Sequence, residues 1–472
     1  MGLLLLIEGV FIGISSLVSL YYNQYDFKAL IITTIICFTI GITLWFLTKK
    51  ADKNISKREG YIIVSLVWVI FSTFGALPFV ISGAIPSFTD AFFETMSGFT
   101  TTGASILNNV ESTPFGLLFW RSLTQWLGGM GIIVLSIAIL PIFGIGGMQL
   151  FVAEVPGPTP DKLHPRIKET AKRLWVIYVL FTLAEVILLK IGGMNWFDAI
   201  NHSFTTMATG GYSTKQASIA HFNSPFIDYI ITLFMFIAGT NFTLSYFALH
   251  LKFGKVLKNE EFRFYLGFVM LFTIAIAFSL YHLHDFGVEK AFRDSIFQVV
   301  SIITTTGFAT ADYLNWTPFV IVMLFALMFF GGSAGSTGGS IKIVRVSLLL
   351  KNSYQELKRI IHPNAIIPVR MNGKSVSPAI ISNILAFVVI YMLITIISTI
   401  LISALGYDLQ TSLGAVAATL GNIGPGIGLV GPSGNYAHFP DIGKWFLSFL
   451  MLIGRLELFT ILILFSPAFW KK

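Results

Sequence analysis

"FFETMSGFTTTGAS", Phe92 to Ser105, sets three threonines and a glycine in a row inside a chain that otherwise reads as hydrocarbon, with Asp90 just upstream. The unit recurs. Aligned on one glycine, "DAFFETMSGFTTTGAS" around Gly103 is matched by "DAINHSFTTMATGGYS" around Gly211, "DSIFQVVSIITTTGFA" around Gly307 and "DLQTSLGAVAATLGNI" around Gly421. An aspartate stands thirteen residues before each glycine (Asp90, Asp198, Asp294, Asp408), and a threonine two before it (Thr101, Thr209, Thr305, Thr419). The copies lie 108, 96 and 114 residues apart, so the chain is a repeat architecture.

The surroundings of these units are membrane. Hydrophobic residues make up 55% of the 472-residue chain and charged residues 11%, where soluble chains carry about 25% charged residues. Ten apolar runs approach or exceed the roughly 20 residues that cross a bilayer: 2–22, 28–48, 60–83, 117–142, 174–192, 226–250, 263–283, 318–350, 378–405 and 443–466. The first lacks a basic leader and a small-residue cleavage site, so it reads as a retained helix. Alternate connections 49–59, 149–173, 251–263, 351–374 and the last two residues hold 21 of the 31 Lys and Arg. The opposite connections hold 0, 0, 1, 2 and 0. The positive-inside rule then places the basic loops and both termini in the cytoplasm. The net charge of +8 is a topology signal and excludes a nucleic-acid footprint. The single cysteine, Cys37, lies in an apolar run and excludes disulfides.

Each glycine unit falls between two spanning runs. The expected fold is all-α and integral to the membrane: two leading helices over 1–50, then four helix–pore helix–helix repeats over 60–148, 172–252, 262–350 and 376–468 around one pseudo-fourfold pore. Aspartate suits a helix N-terminus, where free N–H groups and the dipole favour a carboxylate. About ten residues of helix between Asp and Thr make roughly 15 Å, half a bilayer. That leaves a partially negative helix end at mid-membrane, which favours a cation. Irregular backbone at that depth is tolerated where it lines a watery path. Four T-x-G segments around an axis would stack rings of carbonyl oxygens, the logic of a potassium filter.

At these residues the sequence resembles the Trk/Ktr/HKT superfamily of cation transporters, most closely its bacterial TrkH-like branch, over nearly the whole chain. The resemblance implies a homodimer in the bacterial cytoplasmic (inner) membrane and a cytosolic, TrkA-like ring of nucleotide-binding regulatory subunits. It also implies potassium as the transported ion, with no organic cofactor. The filter it implies comprises Thr101, Thr102 and Gly103; Thr209, Gly210 and Gly211; Thr305, Thr306 and Gly307; and Thr419, Leu420, Gly421 and Asn422. Serine at the first glycine is associated with sodium-permeable plant members; here all four are glycine.

"FFGGSAGSTGGSIK", Phe329 to Lys342, packs five glycines and three serines into ten residues of a spanning run. Each glycine costs a helix about 1 kcal/mol against alanine, so the run breaks. The spacing excludes a phosphate-binding P-loop, and a small-residue packing face is the plain alternative. The resemblance implies a gating loop beneath the filter, formed by Gly331, Gly332, Ser333, Gly335, Ser336, Thr337, Gly338 and Gly339, with Lys342 at its end. Arg455 in "LIGRLELF" is a guanidinium inside a spanning run and needs a partner or an aqueous cavity. Pairing with Glu457 at i, i+2 is awkward because those side chains diverge. The resemblance places an arginine near the pore below the filter, opposing ion passage.

Glu94, Arg121 and Glu185 are expected to pair across helices. The histidines show no zinc-binding arrangement, His282 and His284 included, and no nucleophile–base constellation marks an enzyme. The basic loop Pro156 to Trp175 and the loop 351–374 would touch anionic lipid or dock the regulatory ring. The rival to a channel is a secondary symporter coupled to protons or sodium through Glu94 or Glu185, since broken helices also suit that class. Against it, all four repeats share one orientation.

Overall fold

The computed structural model describes residues 1–48, 56–134, 167–284 and 286–471. Helices α1 (Gly2–Tyr21) and α2 (Phe27–Leu47) form a leading hairpin. Its turn is fastened to the first repeat by the buried Asp26, which accepts from the Ser19 hydroxyl and, at 2.9 Å, from the Leu117 amide.

Four repeats follow. The first is α3 (Lys57–Ser82), α4 (Phe88–Phe99) and α5 (Phe115–Val134). The second is α6 (Ile167–Ile191), α7 (Trp196–Met207), α8 (Pro225–Ala238) and α9 (Phe242–Leu249), followed by the short α10 (Phe253–Leu257). The third is α11 (Glu260–Leu283), α12 (Val288–Ile303), α13 (Pro318–Leu327) and α14 (Ile343–Ile361). The fourth is α15 (Pro378–Ser403), α16 (Leu409–Leu420) and α17 (Asp441–Arg455). The half-span helices α4, α7 and α16 have 12 residues each, and α12 has 16. One apolar core joins the first and fourth repeats through Phe93, Trp120, Leu420 and Met451; another joins the second and third through Ile231, Phe297 and Leu324.

Among the described residues, six helices are long and apolar enough to span unbroken, and two further spans are bent by 112°. The chain is therefore a multi-pass membrane protein. Residues 135–142 of the fourth apolar run, and most of the basic loop from Pro156, lie outside the described residues.

The sequence predicts one broken helix, in the third repeat, and the described residues contain three. Between α8 and α9, the Asn241 side chain accepts from the Thr243 amide at 2.8 Å, starting a new helix. After α17, Glu457 and Leu458 take left-handed φ of 55° and 50°, which helices cannot continue through. In the third repeat the chain leaves α13, runs through β1 (Phe330–Gly331), loops out, and returns as β2 (Ile341–Lys342) parallel to β1 before entering α14. Parallel pairing means that the chain enters and leaves this loop in the same direction. The loop is a side excursion, a strap, on a through-going helix.

The aspartate caps also need correction. Only Asp408 is an N-cap, accepting from the Thr411 amide at 3.2 Å. The Thr411 hydroxyl and amide together hold its carboxyl below the usual carboxylate range. Ser87 and Asn195 cap α4 and α7, each accepting from the amide of Asp90 or Asp198 at the third helical position. Serine and asparagine reach back to that amide as well as aspartate does. In the first turn, both carboxylates still gain from the dipole. Asp294 lies a turn further into α12, which begins earlier behind Gly287.

Candidate ion filter and gate

Each half-span helix ends the same way. After α4, α7, α12 and α16 comes a cap residue, then a residue with left-handed φ: Thr101 (52°), Thr209 (53°), Thr305 (59°) and Asn422 (55°). Two residues later stands a glycine with positive φ: Gly103 (83°), Gly211 (74°), Gly307 (81°) and Gly424 (96°). The amide between them turns back to the helix in every copy: Thr102 to Ser97, Gly210 to Thr205, Thr306 to Ser301 and Ile423 to Ala418, all at 2.8 Å.

The fourth register is therefore shifted by three residues from the sequence alignment. Gly424, not Gly421, matches Gly103. Gly421 is the C-cap of α16 with φ −79°, and Thr419 and Leu420 are its last helical residues. The same shift aligns the true caps, since Ser87, Asn195 and Asp408 each stand sixteen residues before their glycine.

The four strands close a ring. A Cβ on Gly103 would collide with the carbonyl oxygen of Gly210, one on Gly211 with that of Thr306, and one on Gly307 with that of Ile423. One on Gly424 would stand 2.7 Å from the carbonyl oxygen of Thr102, back at the first copy. Only glycine allows these strands to approach so closely. All four glycines border one cavity, whose wall continues into Ser105, Ser213, Lys215 and Tyr436.

Polar side chains brace the ring from behind. Buried Glu94 accepts from the Ile106 amide at 2.9 Å and pairs with Arg121 at 2.6 Å, as the sequence predicts, whereas Glu185, also expected to pair, is buried without a hydrogen-bond partner among the described residues. Arg121 lies 3.5 Å over the Tyr212 ring and donates to the Ser213 carbonyl at 3.0 Å. In the second copy, His202 bonds the Ser213 hydroxyl at 2.9 Å. Gln125 of α5, which the sequence reading passes over, donates to the Gly210 carbonyl at 2.7 Å and accepts from the Tyr212 amide at 3.0 Å. A lone glutamine in an apolar run was the available signal. Gln125→Leu leaves both backbone groups unpaired, an expected cost of about 2 kcal/mol, measurable as a lower unfolding midpoint in detergent.

The strap lies directly under the helix ends. The Gly339 amide donates to the Thr305 hydroxyl at 2.7 Å, and the Thr337 hydroxyl reaches the Met207 carbonyl at 3.2 Å. The Ser333 amide donates to the Gly239 carbonyl at 2.8 Å. A Cβ on Gly338 would come within 2.9 Å of the Thr304 carbonyl oxygen, and one on Gly339 within 2.5 Å of that of Gly421. The glycines are there because the strap touches backbone on two sides. Ser336 folds back on Ser333, and Gly332 approaches Gly239. Gly335 has φ 72°, and its carbonyl accepts from the Phe242 amide at 3.2 Å. Lys342 Nζ donates to the Gly338 carbonyl.

Arg455, 4% exposed, donates to the Thr337 carbonyl at 2.8 Å and the Gly128 carbonyl at 3.0 Å. Glu457 instead pairs with Arg345 at 2.5 Å, as the divergence of i, i+2 side chains requires. Arg455 thus links the strap to α5, whose Gly128 in turn packs on the Phe99 carbonyl. Among the described residues no cluster of His, Cys, Asp and Glu could hold a metal ion.

Residues 27–472 match the family model TrkH, "Cation transport protein". The chain is 44% identical to the Trk system potassium uptake protein TrkH of Escherichia coli K12, over 100% of this chain and 98% of that protein. It is 37% identical to the Escherichia coli K12 protein TrkG, over 96% and 94% of the two chains. The crystal structure of the potassium transporter TrkH from Vibrio parahaemolyticus superposes with a TM-score of 0.89 at 38% identity, covering 100% of this chain and 98% of that one. Half-span helices, a glycine ring and a strap beneath it, together with these full-length matches, place the chain in the TrkH family of cation transport proteins.

Proposed function

We propose that the protein takes up potassium across the bacterial inner membrane through a selective pore gated from the cytosol. The observation that carries this reading is the head-to-tail ring in which each of Gly103, Gly211, Gly307 and Gly424 abuts the carbonyl of the next copy. Carbonyls brought together at the negative ends of four half-helices replace the hydration shell of a monovalent cation. Thr101 to Gly103, Thr209 to Gly211, Thr305 to Gly307 and Asn422 to Gly424 form the filter. Residues 331–340, Lys342 and Arg455 form the gate, whose polar strap and fixed positive charge stand between the filter and the cytosol. A negative-inside potential supplies about 2.3 kcal/mol per charge per 100 mV, enough to accumulate potassium without a coupled ion. Both termini are cytosolic, and the working assembly is a homodimer that other Trk components join as a nucleotide-binding cytosolic ring.

The pairing of Glu94 with Arg121 removes it as a proton carrier, leaving the fully buried Glu185 as the symporter candidate. Flux into liposomes holding the purified protein separates the two readings. Potassium uptake that follows an imposed membrane potential and ignores a pH gradient is the expected result. Uptake that tracks the pH gradient and loses that coupling in Glu185→Gln would overturn it.

A further inference from the structure

Asn422 stands where the other copies carry Thr101, Thr209 and Thr305, and left-handed φ is common to all four. Asparagine tolerates that conformation well, which accounts for the residue type and leaves its contacts unexplained. The Thr209 hydroxyl bonds its own strand, and that of Thr305 accepts from the strap. Asn422 Nδ2 instead donates across the seam to Thr102 Oγ1 of the first copy, at 2.9 Å, and to the Met451 carbonyl of α17, at 2.9 Å.

Both amide hydrogens are used, so Oδ1 is turned toward Gly454 and Gly339 of the strap, whose Cβ positions would lie 2.7 Å and 3.2 Å from it. The link continues in one direction. Thr100 Oγ1 donates to the Met96 carbonyl at 2.6 Å, so the Thr102 hydroxyl is the donor in its 2.8 Å bond to Thr100. Met451 lies one helical turn before Arg455, which holds the strap at Thr337. One turn of α17 therefore grips the strap at one end and the filter seam at the other.

We propose that Asn422 is a specificity-determining positioning residue. Its amide fixes the spacing of the first and fourth filter strands and ties that spacing to α17, so ion discrimination depends on where α17 and its arginine stand. This rests on the filter reading above.

The test is the potassium-to-sodium permeability ratio, taken from reversal potentials of the full-length protein in planar bilayers. Asn422→Gly keeps the left-handed backbone and removes the amide. Thr102→Val removes the acceptor. Each is expected to lower the ratio roughly fivefold while potassium still passes, the loss of one neutral hydrogen bond. The double variant is expected to be no worse than the worse single one. A wild-type ratio in Asn422→Gly, or losses that multiply in the double variant, overturns the proposal. If Asn422→Gly does not assemble, an unchanged ratio in Thr102→Val overturns it from the other side. Gly103→Ser serves as the reference. If it too leaves the ratio unchanged, the filter reading itself has failed; if it lowers the ratio and Asn422→Gly does not, only the tie has.

Discussion

Gly103→Ser is expected to yield a protein that assembles and passes potassium but holds sodium back poorly. The Cβ of the new side chain falls on the Gly210 carbonyl oxygen, and the backbone at φ 83° disfavours any Cβ. The carbonyl must move, and it is backbone, so it carries its strand with it. Gln125 holds that same carbonyl from behind, so the strand cannot retreat freely. On the proposed filter reading, a ring that replaces the shell of the larger ion is then widened or breached on one side. A misplaced ligand is worth about 1–2 kcal/mol, a fall in the potassium-to-sodium ratio of roughly tenfold. Gly424→Ser should act alike, while Gly421→Ser, at φ −79° and with its Cβ 2.7 Å from the Ala417 carbonyl oxygen of its own helix instead of a ring carbonyl, should change the ratio severalfold less. Reversal potentials for the three variants decide the register of the fourth copy directly. Equal effects at 421 and 424 would contradict the ring.

The second large effect belongs to Arg455. Its guanidinium holds the strap at Thr337 and brings a fixed positive charge beneath the filter. A unit charge about 8 Å from a passing cation raises its energy by about 2 kcal/mol at an effective dielectric near 20, roughly thirtyfold in rate. Arg455→Gln removes that barrier and loosens the strap together. Potassium flux into liposomes at fixed potential should rise by at least tenfold, with no regulatory partner present. Arg455→Lys keeps the charge, loses the two-point grip, and should fall between. Flux that stays level or drops in a monodisperse Arg455→Gln protein would make the arginine a structural fastener and leave gating to the strap alone.

The sequence discloses the repeats because threonine, glycine and a polar helix start recur at a spacing that hydrocarbon cannot mimic. It misleads at the fourth copy, where Thr419 and Gly421 imitate the T-x-G pair while the strand itself is Asn422–Ile423–Gly424. Asparagine serves the left-handed position as threonine does in the other copies. The shared requirement is of the backbone, a left-handed residue two before a glycine, and N-x-G meets it with different letters. The broken second helices of the second and fourth repeats are hidden for another reason. Hydropathy over 226–250 and 443–466 is indifferent to a bend, and only Asn241 beside Gly239, or Gly454 before Arg455, marks the place. The strap is legible because glycine is dense there. What it touches is not, since its partners are the Thr305 hydroxyl and carbonyls at the ends of four helices, from Met207 to Gly421.

The seam between Gly424 and Thr102 also bears on how such a protein is made. The bond from Asn422 to Thr102 spans 320 residues, and contacts so distant form late because the intervening chain must first be ordered. Synthesis runs from the N-terminus, so the first three strands are made before the fourth. Until it arrives, the partial assembly has an arc of carbonyls and no enclosure. On the proposed filter reading, no closed ring exists before the last repeat, which also carries Arg455, is in place. The final segment delivers the closing strand and the fixed charge together.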